Sequence, residues 1–394
     1  MTPDAEQKAH SKTCSGTARC APARQDHPNA PSLQCRGALQ RDPTGLAVTP
    51  PNSPQTSALS ISQRFPVSAA SLLVPLLLAL AAITTACNHS TPPAQTSALT
   101  KVVLQADWYP QPEHGGFYTA LIKGFYKDEG LDLTIQPGSQ YAVPDQQVAV
   151  GAAQFGMGSS DRTLESVADG HPLIAIAATM QTDPQGIMVR KDSPIHTFND
   201  LHGHSVAVKP GSTWFQYLVK RYNLTDVKEI PATMSVANFV ADPTYIQQSF
   251  ATSEPFFAQK AGIETRVLLT RDAGYNPYRV MFTTRDFLQQ HPDVVAKFVR
   301  ASIKGWRDYL NDPTPAHQVI AKLNPALSPE WMTFSWQGLR DGHFVAGDDP
   351  SGAQLGQMTA ARWTTMYNQL LDLKVIDKPF DPTTAYTLQF LHTQ

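Results

Sequence analysis

The sequence predicts an α/β fold in two lobes, the second inserted into the first through two crossings of the chain, with a largely helical C-terminal part. Three observations lead there. From Lys101 onward, short β-forming runs alternate with amphipathic stretches; a second series of the same kind starts near Gln185; and the chain returns through one more β run, residues 278–284, before keeping helical spacing to its end.

The first series reads KVVLQA, FYTALIKGFYKDEG, LDLTIQP, VPDQQVAVGA, AQFGMGS, DRTLESVADG and LIAIAATM. Gly130, after Lys127, Asp128 and Glu129, is placed as a helix stop before the next strand. The second series reads GIMVR, HSVAVKPGS, TWFQYLVKRYN, VKEIPA, YIQQSFAT, SEPFFAQKAG and TRVLLT. Residues 292–310 carry apolar positions at helical spacing (Val295, Phe298, Val299, Ile303, Trp306, Leu310), and so does the stretch from Ala353 to Leu373. Residues 101–185 and 276–394 are therefore assigned to lobe 1 and residues 186–275 to lobe 2, with a mostly parallel sheet in each. No internal repeat is visible.

The N-terminal part has a different character. Residues 1–65, rich in Pro, Ser, Thr, Gln and Ala, read as a disordered extension or as sequence lying before a true start near Leu59. Residues 66–86 form an apolar run containing Pro75 and ending in small residues, the pattern of a signal-peptide h-region more than of a spanning helix. All four cysteines, Cys14, Cys20, Cys35 and Cys87, lie at or before the end of that run, so an exported body would contain no disulfide. Cys87 directly follows it and resembles a bacterial lipoprotein's acylated cysteine, with Ala86 before it as usual but Thr84 where Leu is common. Residues 88–100, small and polar, read as a flexible tether. The expected location is thus outside the cell membrane, in a periplasm or on the outer surface, held by lipid.

A formal net charge of −2 without a basic stretch leaves no face to neutralise phosphates, which excludes nucleic acid as a partner. A mean hydropathy of −0.26 excludes a polytopic membrane protein. HEXXH and CXXC patterns are absent and no second His or Cys stands at ligand spacing beside His114, so no metal is expected.

Open α/β sheets bind ligands beyond the carboxyl ends of their strands, which directs attention to the loops there. The first, DWYPQPEHGG, offers flat faces from Trp108 and Tyr109 and, at the start of the next helix, from Phe117 or Tyr118, one of which is expected in the core. Gly115 and Gly116 would let a ligand approach the backbone amides, and His114 stands as a hydrogen-bond partner or a capping residue. GMGSSD supplies Ser159, Ser160 and Asp161, one of them a helix cap and Asp161 an acceptor for an amino group or protonated ring. Gln181 and Asp183 lie where the chain leaves the first lobe, beside hinge-suited Pro184 and Gly186. In the second lobe Gly211, Ser212 and Thr213, with Trp214 beside them, repeat the strand-glycine-helix logic, and Glu254 stands at a strand end. KPGSTWFQ lacks the GK[ST] spacing of a nucleotide-hydrolysing loop.

Across roughly residues 101–390 the segments DWYPQPEHGGFYTALIKGFYKDEGLDLTI, VAVGAAQFGMGSSD, FNDLHGHSVAVKPGS, SEPFFAQKAG and HPDVVAKFVRASIKGW together resemble the ABC-transporter substrate-binding proteins grouped with thiamine-pyrimidine synthesis proteins and with sulfonate and nitrate binders. The resemblance implies a periplasmic-binding-protein type II pair of lobes, a small-molecule solute, a partner permease with its ATPase, a monomer, no cofactor and no catalysis. Aromatic faces beside Asp161, Asp183 and Glu254 favour a planar nitrogen heterocycle, first a thiamine pyrimidine precursor and second riboflavin, over a sulfonate or nitrate. The same family includes enzymes that make that pyrimidine from pyridoxal phosphate and an active-site histidine, using a cysteine-rich motif that has no counterpart after Cys87. A purely adhesive lipoprotein would explain the anchor but not the polar strand ends.

Overall fold

A computed structural model describes residues 98–391 apart from 234, 350 and 351. The signal-like run, Cys87 and most of the tether lie outside the described residues, and among the described residues no helix is long and apolar enough to cross a membrane.

Among the described residues, ten strands form two five-stranded sheets. The first contains β1 (Thr100–Gln105), β2 (Leu131–Gln136), β3 (Phe155–Ser159), β4 (Leu173–Met180) and β10 (Arg279–Thr284), in the order β2-β1-β3-β10-β4. The second contains β5 (Gln185–Arg190), β6 (Ser205–Val208), β7 (Lys228–Pro231), β8 (Ile246–Phe250) and β9 (Thr265–Leu269), in the order β7-β6-β8-β5-β9. In each sheet one strand runs against the others: β10 is antiparallel to β3 and β4, and β5 is antiparallel to β8 and β9. Both are the strands that the chain enters immediately after crossing between sheets. Their first residues therefore lie at the same edge as the carboxyl ends of their neighbours, with Arg279 opposite Ser159 and Met180, and Gln185 opposite Phe250.

The expected helix through FYTALIKGFYKDEG is two helices, Gly115–Ile122 and Phe125–Asp128, because Gly124 takes a left-handed φ of 78° that ends the first. Gly130 has φ 77° and leads into β2 as expected. The stretch from Ala353 becomes helical only at Ala360, where the Thr359 side chain accepts a hydrogen bond from the backbone N–H of Arg362.

The helix Pro292–Asn311 buries Val295, Phe298, Val299, Ile303 and Trp306 against the first sheet and the helix Gly115–Ile122, with Leu310 packed at the margin. That contact explains the glycine pair. A Cβ on Gly115 would sit 2.1 Å from the Tyr309 ring, one on Gly116 2.2 Å from the Trp306 ring, and one on Gly305 2.3 Å from the Gly116 carbonyl oxygen. Three glycines thus let two backbones and two large rings share one interface. Gly115 and Gly116 are covered by those rings and do not open their backbone to a ligand, which corrects the sequence reading. Phe117 is likewise fully buried, its ring 5.9 Å from Trp306 and 6.5 Å from Phe298, and offers no face to a solute.

Gly116→Val should therefore cost about 3 kcal/mol through forced separation of the helices. Urea denaturation should show a lowered midpoint with an unchanged slope, and wild-type stability would contradict the packing account.

Candidate functional site

The loop after β1 starts the site. Asp107 directly precedes Trp108, and its carboxylate meets two partners: His114 Nε2 lies 3.1 Å from Oδ1, and the Arg279 guanidinium donates to Oδ2. Since a carboxylate only accepts, His114 Nε2 carries the hydrogen of that bond. Burial works to raise the Asp107 pKa, but the Arg279 charge and the His114 hydrogen bond outweigh it and hold the carboxyl below its ordinary value. His114 is only 1% exposed and its Nδ1 is buried without a partner, so the ring braces Asp107 and offers no atom to an incoming molecule.

Arg279 reaches a second carboxylate, Asp183, at 3.7 Å. Asp183 sits in the first crossing, where Oδ1 accepts from the Gln185 N–H at 3.0 Å and its own N–H donates to Asn276 Oδ1 of the second crossing at 3.4 Å. Burial raises the Asp183 pKa to about 6 despite Arg279, with neighbouring Asp161 adding to the rise. Arg279 itself is held above its ordinary value, since Asp107 and Asp183 overcome the opposing effect of burial.

Asp161 is brought to the same region. It accepts from the Tyr275 hydroxyl at 2.6 Å and from the Arg162 N–H at 2.9 Å, so the predicted acceptor is already engaged at the start of its helix, Ser160–Ala168. Ser160 Oγ accepts from the Tyr278 N–H at 3.0 Å and is buried, while Ser159, the residue before that helix, makes no capping bond with its side chain.

Two threonine hydroxyls of the second lobe donate to carboxylates of the first. Thr213, at the start of the helix Thr213–Arg221, donates to Glu165 Oε1 at 2.8 Å, and Thr252 donates to Glu113 Oε1 at 2.6 Å. Burial raises the pKa of both Glu165 and Glu113. The neighbours of Thr213 are placed at that same helix start: Gly211, at φ 74°, is exposed, Ser212 Oγ turns back to the Lys209 carbonyl at 2.6 Å, and Trp214 is half-buried against both cores.

Several predicted residues have other work. Gln181 donates to the carbonyls of Gln354 and Gln357 at 2.7 and 2.8 Å and is 7% exposed, so its amide ties down the C-terminal segment instead of facing a ligand. Glu254 accepts from the Phe250 N–H at 2.8 Å and from Ser249 Oγ at 3.3 Å, bracing its own loop. Trp108 is half-buried and Tyr109 46% exposed, their rings edge to face at 5.7 Å; these remain the accessible aromatic surfaces of the first loop. Two surface hollows, of about 240 and 380 Å³, lie elsewhere, one beside Phe125 and Arg300 and the other beside Phe256 and Phe334.

Sequence reading missed Asp107, Arg279, Glu113, Glu165, Thr252 and Tyr275. The signal for Arg279 was its position as the first residue of a returning strand, opposite Ser159. Asp107 opens the loop DWYPQPEHGG, but its importance comes from Arg279.

Two facing α/β lobes with two crossings and one antiparallel return strand in each sheet form a periplasmic-binding-protein type II fold. Solved structures share it: the periplasmic sulfonate-binding protein of Methylobacillus flagellatus superposes at TM-score 0.57 with 15% identity over 75% of this chain and 94% of that one. The aliphatic sulphonate binder of Escherichia coli gives 0.53 with 17% identity over 72% and 91%. The chain belongs to the NMT1/THI5-like family, whose model matches residues 111–316, just over half of its length. Among curated relatives, it is 23% identical to a riboflavin-binding protein of Chloroflexus aurantiacus over 78% of this chain and 94% of the relative. It is 23% identical to a 4-amino-5-hydroxymethyl-2-methylpyrimidine phosphate synthase of Legionella pneumophila, over 76% and 94%. A formylaminopyrimidine-binding protein of Halalkalibacterium halodurans is 24% identical over 63% and 77%.

The Asp183 carboxyl generates a pH prediction. Its folded pKa of about 6 exceeds the ordinary value of 3.8, so between the two the folded chain keeps a proton that the unfolded chain releases, and this group's contribution to stability falls as pH rises through that window. Asp183→Asn should remove the fall: denaturation at pH 4 and pH 7 should show the variant gaining stability relative to wild type at the higher pH. A difference that is constant between the two pH values would contradict the assignment.

Proposed function

We propose that this chain is the solute-binding component of an ABC importer, closing its lobes on a planar nitrogen heterocycle, with a thiamine pyrimidine precursor as the best candidate. The observation that carries the reading is the engagement of Arg279 by Asp107 and Asp183. A sulfonate or nitrate calls for a cation or amide donors free to meet it, whereas the guanidinium here is committed to two carboxylates. What is left accessible in the loop after β1 is the ring surface of Trp108 and Tyr109, which suits a flat ring. The riboflavin and formylaminopyrimidine binders among the relatives support the same choice. Riboflavin is the second candidate.

A pyridoxal-phosphate-dependent synthase fits the residues poorly. The histidine in the relevant region is buried and bonded to Asp107, and the sequence has no cysteine after Cys87. The chain acts as a carrier and leaves its solute unchanged. Export, acylation at Cys87, a single-copy state and delivery to a permease with its ATPase belong to this reading.

Titration calorimetry with 4-amino-5-hydroxymethyl-2-methylpyrimidine, riboflavin, ethanesulfonate and nitrate tests it, with heat expected from a heterocycle and none from the anions. Trp108→Ala should weaken heterocycle binding at least ~10-fold through the lost ring contact while leaving the melting curve in place. Tight anion binding, or full affinity in Trp108→Ala, would overturn the assignment. Steady turnover of pyridoxal phosphate to a pyrimidine by the purified chain would establish the enzyme instead.

A further inference from the structure

Two arginines converge where the lobes join, and they do different things. Arg362, from the helix Ala360–Asp372, donates to the Gln181 carbonyl and, through Nη2 at 2.8 Å, to the Asn276 carbonyl, so one guanidinium holds one residue of each crossing. It lies over the Tyr278 ring at 3.8 Å. This fixes the crossings to each other. Arg279, by contrast, is joined to the loop that carries Trp108 and Tyr109.

We propose that Arg279 is a positioning residue that couples the Trp108 loop to the hinge, so that seating a solute against Trp108 biases the crossings toward closure. The inference rests on reading the cleft as the solute site. Asp107 is adjacent in sequence to Trp108, so a tilt of the indole onto a ring carries the carboxylate with it. Arg279 is rigid and planar with several donors, and it contacts Asp107 through one nitrogen and Asp183 through another. Asp183 is embedded in both crossings through Gln185 and Asn276, and the Asn276 amide donates to Thr182 Oγ1 at 3.4 Å. Lobe closure is absorbed by backbone rotation in a few such residues. A carboxylate exchanged between two strengths of contact with the same guanidinium gives that rotation a discrete bias. The other groups facing this chain of contacts are His114 on Asp107, and Asp161 and Glu113 near Arg279.

The chain contains six tryptophans, so incorporation of 5-fluorotryptophan gives a small set of fluorine resonances. Trp108 reports the loop. Trp363, buried beside Arg362 with its ring 6.5 Å from Tyr278, reports the hinge. Each is assigned by replacement with Phe.

Without any ligand, Asp183→Asn should shift the Trp108 resonance in the wild-type background and shift it at least ~3-fold less in Arg279→Gln, a non-additive cycle that a merely local ion pair would not give. Equal shifts in both backgrounds, or none in wild type, would overturn the proposal. Circular dichroism confirms that each variant is folded; if Arg279→Gln is not, Arg279→Lys takes its place, since one ammonium cannot hold both carboxylates in the same geometry, and the same reduction is expected. In a second arm, 4-amino-5-hydroxymethyl-2-methylpyrimidine or riboflavin should move both resonances in wild type but Trp108 alone in the Arg279 variant. Movement of Trp363 in that variant would also overturn the coupling. If neither compound moves Trp108 in wild type, the heterocycle reading fails, and the ligand-free cycle still decides the role of Arg279.

Discussion

A guanidinium taken out of water must be matched by carboxylates, and in this chain the match made by Arg279 organises the cleft. Asp107 belongs to the loop after the first strand, Asp183 to the first crossing, and Arg279 to the strand that follows the second crossing. Three segments distant in sequence are thereby fixed at one sheet edge. Leaving any of the charges uncompensated there would be expensive, because burial multiplies the cost of an unpaired ion. The pKa directions record the balance: Asp107 is held low, with Arg279 and His114 both acting on it, whereas Asp183, more weakly paired, is pushed up by burial to about 6.

The lobes also touch through neutral donors. Glu113 and Glu165 project from the first lobe and receive hydroxyl hydrogens from Thr252 and Thr213 of the second. Such hydrogen bonds contribute modestly, about 1–3 kcal/mol each. Arg362 holds the carbonyls of Gln181 and Asn276, one from each crossing, together.

Much of the fold was legible in the sequence because periodicity records burial. The apolar positions of residues 292–310 lie inside as their spacing requires, and the change to β runs marks both sheets. The site was less legible, for two physical reasons. Small residues have two uses, and Gly115 and Gly116, read as an opening for a ligand, are small because Tyr309 and Trp306 occupy the space where their side chains would be. The rule that ligands bind beyond the carboxyl ends of strands points to the loops there, yet a reversed strand puts its amino end at that same edge, which is where Arg279 stands. Phe117, Gln181 and Glu254 show a further limit: their residue types suited a solute, but packing, the C-terminal segment and a local turn claim them first. Asp161, expected as an acceptor for a solute, already has Tyr275 and a helix amide as partners.

The interior position of β10, between β3 and β4, bears on how the molecule is assembled. Strands β3 and β4 lie close in the chain but are not neighbours in the sheet; the gap between them is filled by a segment that arrives only after the whole second sheet. Until residues 279–284 emerge, two interior edges stay open, each a template for wrong pairing. Such distant pairing is slow to form, and a nascent chain of this design would benefit from being kept unfolded by a holding factor until its final third is available.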